Sequence, residues 1–572
     1  DLPIGQADEI AIAVKGIGRG THRRTTGFAI AAGKFEPAHP ARAACFISKS
    51  IRREIGQFSL FFAALRRKRM RQNGEANRQQ VSGCNVCIHD AASVANPARA
   101  CQCAGGGSGH WTFPTLPDRV RAVPTGAGPM YQTFDVTARP EQGPPRLARL
   151  RDELQRETLD GFLVPRADAH QGEYVSEHDA RLAWLTGFTG SAGFCAALRD
   201  IAGVFVDGRY RTQVKAQVAD DFTPVPWPDI RLADWLLEKL PDGGRVGFDP
   251  WLHTVGEVDG WAKVLAKTSV EMVQCENLVD RIWEDQPASP MAPVLPHPIE
   301  FAGESAADKC TRLAKVLRQA KHRAAVITQP DSIMWLLNIR GSDIPRNPVA
   351  QGFAVLHDDG RVDLFMAAVK LAGLGDHLGD QVTVQDPACF LDVLGALTGP
   401  VRLDRGTAPQ KLADVLGAAV VFADDPCALP KARKNAAEIA GSAAAHLRDG
   451  AAVVELLAWL DDQDPGSISE IDVVTQLEAR RQRDNALRDI SFDTIAGTGA
   501  NGAIMHYRVS EESNSVLREG DLLVLDSGGQ YLDGTTDITR TIPIGPVGDT
   551  ERAAFTRVLQ GMIAMSQLRW PK

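Results

Sequence analysis

Near the C-terminal end of the sequence three residues have the types and spacing to do chemistry. His506 lies in Gly502-Ala-Ile-Met-His506-Tyr507, Asp526 follows the apolar run Leu522-Leu-Val-Leu525, and Asp537 lies in the β-branched run Thr535-Thr-Asp537-Ile-Thr-Arg-Thr-Ile542. A carboxylate after four apolar strand residues is costly to bury unless it is paired or coordinates a cation. Asp533-Gly534 is a hairpin turn signal. A two-residue turn there sets position 530 opposite 537 and 526 opposite 541, so Asp526 and Asp537 share one face of the hairpin. In that register they stand four steps apart, about 13 Å, whereas paired metal ions sit about 3.5–4 Å apart. A bulge at Ser527-Gly528-Gly529 would bring them closer. Two plainer readings stay open at this level: Asp526 as a buried carboxylate paired with Arg540, and His506 as a strand histidine whose hydrogen bonds are satisfied.

The elements that must position these groups are legible upstream. Asn435 to Asp462 is Ala-rich and helical, with Gly441 and Gly450 as possible breaks. Ser467-Ile-Ser-Glu470 fits a capping box opening a helix through Leu477. Ser491-Phe-Asp-Thr-Ile-Ala and Ala503-Ile-Met-His506-Tyr507 read as strands, and Thr550 to Leu568 as a helix with Asp549 and Glu551 at its cap and first turn. Before them the sequence repeats itself. An amphipathic helix over Arg146–Arg156 precedes the strand Gly161-Phe-Leu-Val; a second over Lys309–His322 precedes Ala324-Ala-Val-Ile. Trp184-Leu-Thr-Gly-Phe-Thr-Gly190-Ser191 then aligns with Trp335-Leu-Leu-Asn-Ile-Arg-Gly341-Ser342, and each is followed by two apolar strands separated by a polar turn. This order implies two similar α/β domains. The Pro-rich stretch Gln286 to Pro298 reads as a stiff linker, and Ala428–Lys434 as the next boundary. The expected division is 1–129, 130–285, 299–430 and 431–572.

Of the 572 residues, 44% are hydrophobic and 23% charged, which excludes a mainly disordered chain. No run approaches 18 apolar residues, so no transmembrane helix is expected. Residues 1–129 differ in kind: they hold 18 Lys+Arg against 8 Asp+Glu and five of the ten cysteines, while all five tyrosines come later. They lack sustained periodicity. Cys84, Cys87, Cys101, Cys103, His89 and His110 offer sulfur and imidazole for zinc, but the C-x-C spacing of the second pair departs from the usual pattern. The basic run Arg66–Arg69 reads as a solvated face or as a nucleic-acid contact. The stretch is expected to be a non-native extension, independent of the rest, with Met130 the natural start.

The motifs Gly502–Tyr507, Leu525-Asp526-Ser527-Gly528 and Asp533–Thr541 together resemble the pita-bread metallopeptidases, and among them the three-domain Xaa-Pro aminopeptidases. Gly190-Ser-Ala-Gly193, Asp207-Gly-Arg-Tyr210, Asn277–Trp283 and Asn338–Pro345 support the resemblance, which runs from about 130 to 572. It implies two creatinase-like N-terminal α/β domains followed by a pita-bread catalytic domain of α+β type. It also implies a cytoplasmic homodimer that removes an N-terminal residue preceding proline, with no nucleic-acid or membrane partner. The implied cofactors are two divalent ions, commonly Mn²⁺, which suit oxygen-rich sites. Asp526 and Asp537 are the implied metal ligands, with Asp537 bridging, and His506 is the implied catalytic histidine beside the substrate. The family's site takes one further His and two Glu. His506 is the last histidine, and after Asp537 the only carboxylates are Asp549 and Glu551. The expectation is therefore an incomplete catalytic domain, an uncovered sheet edge, and a chain inactive alone. A catalytically silent pita-bread module that binds peptides or proteins is the alternative reading.

Overall fold

The computed structural model describes residues 130–484 and 486–569, and all of them belong to one contiguous unit. The candidate zinc cluster and basic run before Met130 lie outside the described residues.

Two six-stranded sheets are built alike. In the first, β1 (Gly161–Pro165), β2 (Phe194–Leu198), β3 (Ala202–Val206), β4 (Phe222–Pro226), β5 (Gly244–Phe248) and β6 (Val270–Gln274) lie in the order β4-β3-β2-β1-β5-β6. In the second, β7 (Ala324–Ile327), β8 (Phe353–His357), β9 (Val362–Phe365), β10 (Val382–Gln385), β11 (Val401–Leu403) and β12 (Val420–Phe422) lie in the order β10-β9-β8-β7-β11-β12. The permutation is the same, and so is the mixture: the central hairpin pairs are antiparallel and the outer pairs parallel. Central strands are buried on both faces, as parallel neighbours and covering helices require. α1 (Gly143–Arg156) buries Leu147, Leu150 and Leu154, and α2 (Ala306–Gln319) buries Cys310, Leu313 and Leu317 at helical spacing. Gly190-Ser191 and Gly341-Ser342 both follow the Trp-bearing helix and precede the second strand of their sheet, so the aligned turns are topologically equivalent.

The Pro-rich stretch between the sheets is not a free spacer. His178 and Gln286 hydrogen-bond across its start, Val294 N donates to Lys370 O, and Leu295–Pro296 pairs with Ile339–Arg340.

The third layer begins with α3 (Ala436–Asp461), a single unbroken helix capped by Asn435. Gly441 does not break it. A Cβ there would come 2.4 Å from Asp533 O, so the missing side chain lets the hairpin turn rest on the helix. α4 (Glu470–Arg481) starts two residues later than its expected box, with Ser469 capping and Asp472 reciprocating. Glu470 is spent elsewhere, as described below. β13 (Asp489–Ile490) pairs with β16 (Gly529–Gln530), and β15 (Leu522–Ser527) lies between β14 (Ile495–Thr498) and β17 (Ile538–Pro543). Leu523 and Leu525 face a core with Val453, Leu456, Val473 and Leu477 of the two helices. Met130 and Phe134 also pack on this core, so the first described residues lie on the third layer. α5 (Asp549–Ser566) buries no residue, and Phe555, Val558, Met562 and Ile563 are exposed.

Candidate active site

Asp526 and Asp537 are carried by the β15–β17 hairpin, and its register differs from the expected one. Tyr531 N donates to Gly534 O, so the turn is centred on Leu532-Asp533, one residue before Asp533-Gly534. The shift slides the ladder by two: Asp526 faces Thr539, and Ser527 faces Ile538. The bridge between Gln530 and Thr535 keeps the same offset, so no bulge is inserted. Asp537 is thus two residues along from Asp526's partner. The carboxylates share one face as diagonal neighbours, about 7–8 Å apart at the backbone instead of about 13 Å. Arg540 sits opposite Leu525, on the other face of the ladder from Asp526. Asp526 is half-buried and Asp537 exposed, so the first is not the fully buried carboxylate that the apolar run suggested. Thr539 Oγ1 donates to Asp526 Oδ1 at 2.8 Å.

Behind that face stands a buried polar network. Asp449 of α3 and Arg481 of α4 form a fully buried ion pair at 2.6 Å. Asp449 also accepts from Tyr531 Oη at 2.7 Å and Thr536 Oγ1 at 2.8 Å, while Arg481 donates to Ser527 Oγ at 3.0 Å. Ser527 follows Asp526 and Thr536 precedes Asp537, so one network fixes the backbone at both carboxylates. Burial and the Asp449 charge push the Tyr531 hydroxyl pKa up, keeping it a donor. Gly528 allows the strands to close: a Cβ would lie 2.0 Å from Thr536 O and 2.1 Å from Ser491 Oγ.

His506 is in a turn and not in a strand. The loop is held by Glu470, which is fully buried and accepts from Thr498 N, Asn501 Nδ2, Tyr507 Oη and Ser515 N at 2.7–3.1 Å. That use explains why Glu470 does not serve the helix cap. Gly502 packs where a Cβ would meet Gly497 O at 2.9 Å and Val524 Cγ2 at 3.5 Å. Val524 has the parity of Asp526, so the segment leading to His506 crosses the carboxylate-bearing face. The half-buried His506 ring hydrogen-bonds through Nδ1 to Tyr210 Oη of the first sheet domain at 2.7 Å. Nearby Asp207 has its carboxyl held below the usual range: burial would raise it, but the side-chain and backbone hydrogen bonds from Arg209 and the Arg209 charge outweigh this.

Two carboxylates are the right donors for a hard divalent ion, yet they are too few. Among the described residues no group of three or more His, Cys, Asp or Glu is placed to hold a metal. The described donors therefore match a metal site in kind and not in number.

Tyr210 and Ser191 sit in motifs that are visible in the sequence, but nothing there directs them to His506. Glu470 reads as a capping residue, and Asp449 carries no local signal.

Comparison with known proteins agrees with this architecture. The Creatinase/Prolidase N-terminal domain matches at residues 146–282 and again, in a second form, at 285–438; Metallopeptidase family M24 matches at 437–572. A probable Xaa-Pro aminopeptidase P of Aspergillus clavatus is 38% identical over 453 residues, covering 75% of this chain and 68% of its own. One of Laccaria bicolor is 36% identical, covering 74% and 68%. The X-prolyl aminopeptidase of Caenorhabditis elegans, described as a cytosolic enzyme with a di-nuclear active site, superposes with a TM-score of 0.68 at 30% identity over 71% of this chain and 70% of that one. Among the described residues no helix is long and apolar enough to cross a membrane. With two creatinase-type domains leading into a metallopeptidase domain, and relatives this similar over two thirds of their length, the chain belongs to the Xaa-Pro aminopeptidase P group of the M24 metallopeptidases.

Proposed function

We propose that this protein acts on peptides with proline in the second position and that Asp526, Asp537 and His506 are its part of the reaction centre. The observation that carries the reading is the hairpin register, which sets both carboxylates on one face, two residues from direct opposition, with the His506 segment crossing that face. A peptide bond to proline has no N–H and a fixed ring, so extended-strand recognition fails and a dedicated pocket is needed. Two divalent ions, manganese in this reading, would lower the pKa of a bound water and polarise the scissile carbonyl. Asp526 and Asp537 would contribute oxygen donors to that pair. His506 stands beside the substrate, where it stabilises the tetrahedral intermediate or moves its proton. The resemblance implies three further donors, one His and two Glu, which are not among the described residues. The reading extends to a homodimer and to the cytosolic setting described for the nematode relative.

Calorimetric titration with manganese and an assay of Xaa-Pro peptide cleavage test this. The 572-residue chain binds manganese weakly and leaves the peptide intact. Appending a segment that supplies the His and two Glu donors restores both, and Asp537→Ala in that longer protein abolishes them. Tight two-metal binding by the 572-residue chain would contradict the assignment of donors. A longer protein that binds peptide without metal or cleavage would favour the silent-module reading.

A further inference from the structure

The hydrogen bond from the first sheet domain to His506 does not end at Tyr210. Tyr210 Oη lies 2.7 Å from His506 Nδ1 and 2.6 Å from Ser191 Oγ, forming a three-membered chain that crosses from one domain to the next. Tyr210 is 2% exposed, and its ring is gripped edge-on by Phe188 at 5.6 Å and by the His506 ring at 5.3 Å. The Arg209 guanidinium covers it at 5.2 Å and is itself tied to Asp207 by three hydrogen bonds, while Tyr210 N donates to Asp207 O. A tyrosine held this firmly presents its hydroxyl in one place.

The direction of the chain follows from which partner gives its hydrogen more readily. Each hydroxyl has one to give. If Ser191 donates to Tyr210 and Tyr210 donates to Nδ1, both hydroxyl hydrogens have acceptors within the chain. The reverse, with Nδ1–H donating to Tyr210 and Tyr210 to Ser191, makes as many bonds, but a phenol is a stronger acid than a neutral imidazole N–H and an imidazole nitrogen a stronger base than a phenol oxygen, so the Tyr210 hydroxyl donates to Nδ1. Nδ1 is then the acceptor, and the neutral ring carries its hydrogen on Nε2.

We propose that Ser191 and Tyr210 are positioning residues that lock His506 in the Nε2–H tautomer, so that the first creatinase-type domain completes the reaction centre of the third. The lock presents a hydrogen-bond donor at Nε2, the form suited to a developing oxyanion. That use rests on the function proposed above; the tautomer itself does not.

The test is ¹⁵N NMR of the full chain labelled at histidine, in the presence of a chelator so that metal plays no part. The His506 signals are assigned by their loss in His506→Gln. The wild-type spectrum shows the Nε2–H tautomer almost exclusively, with Nδ1 shifted by an accepted hydrogen bond. Tyr210→Phe keeps the ring and removes the hydroxyl; the tautomer ratio relaxes toward that of free imidazole by about tenfold, the worth of one such bond. Ser191→Ala shifts it in the same direction by less. Circular dichroism melting of each variant reports folding separately. A wild-type ring protonated at Nδ1, or a folded Tyr210→Phe chain with an unchanged ratio, would overturn the proposal. Failure of the peptide assay with an intact tautomer lock would instead count against the proposed function alone.

Discussion

Two histidines away from the proposed reaction centre show how burial sets the response of single residues to acid. His253 is 3% exposed, packed edge-on to Phe248 and Trp261, and burial alone pushes its pKa down to about 3. His297 is brought to about 3 by burial, with Arg340 and Lys309 adding to it. An unfolded histidine takes up its proton near pH 6.5, while these stay neutral until about 3. Below 6.5 the unfolded state therefore binds more protons, and stability falls as pH drops through that window, by at most about 1.4 kcal/mol per pH unit for each group. Urea unfolding between pH 7 and 4 should show this slope, and His253→Phe should flatten it; an unchanged slope would mean that His253 is not the group responsible. None of this is legible in the sequence, where both histidines are isolated.

At the scale of elements, the hairpin shows what local signals can and cannot give. Shared parity of Asp526 and Asp537 follows from any even slide of the ladder, so it was legible. The separation was not, because Asp533-Gly534 and Leu532-Asp533 are both workable turns. Contact with α3 favours the latter: Asp533 O rests on Gly441, and Arg448 of α3 holds the Asp533 carboxylate at 2.6 Å. The Asp449–Arg481 pair then fixes the hairpin from behind. Asp449→Ala should cost about 3–5 kcal/mol, since it strands a buried guanidinium and two hydroxyls. Gly528→Ala should destabilise too, because its Cβ has no room between Thr536 and Ser491. Chemical denaturation checks both, and a loss below about 1 kcal/mol for Asp449→Ala would show that the network does not hold the hairpin.

Across the whole molecule, the repeat of two sheets was readable because the Trp-to-Gly-Ser motif recurs between the same elements. The joints between domains were not, since they rest on pairs far apart in sequence. Arg346, which follows the Asn338–Pro345 motif, has a left-handed backbone at φ 68° and binds Asp489, Asp493 and Tyr131 O, while its own carbonyl accepts from Gln530. One residue of the second domain thereby holds the strand beside the hairpin and the first described segment. Arg346→Ala should cost about 2–3 kcal/mol and split a single unfolding transition into two, with the third layer lost first; differential scanning calorimetry reads this. The central claim concerns Asp526 and Asp537, and anomalous diffraction from crystals soaked in high manganese tests it most directly. Manganese density should lie about 2.0–2.5 Å from carboxylate oxygens on the shared face of the hairpin, at partial occupancy and involving both residues. Carboxylates on opposite faces, or manganese bound elsewhere with none beside Asp526 and Asp537, would contradict the account.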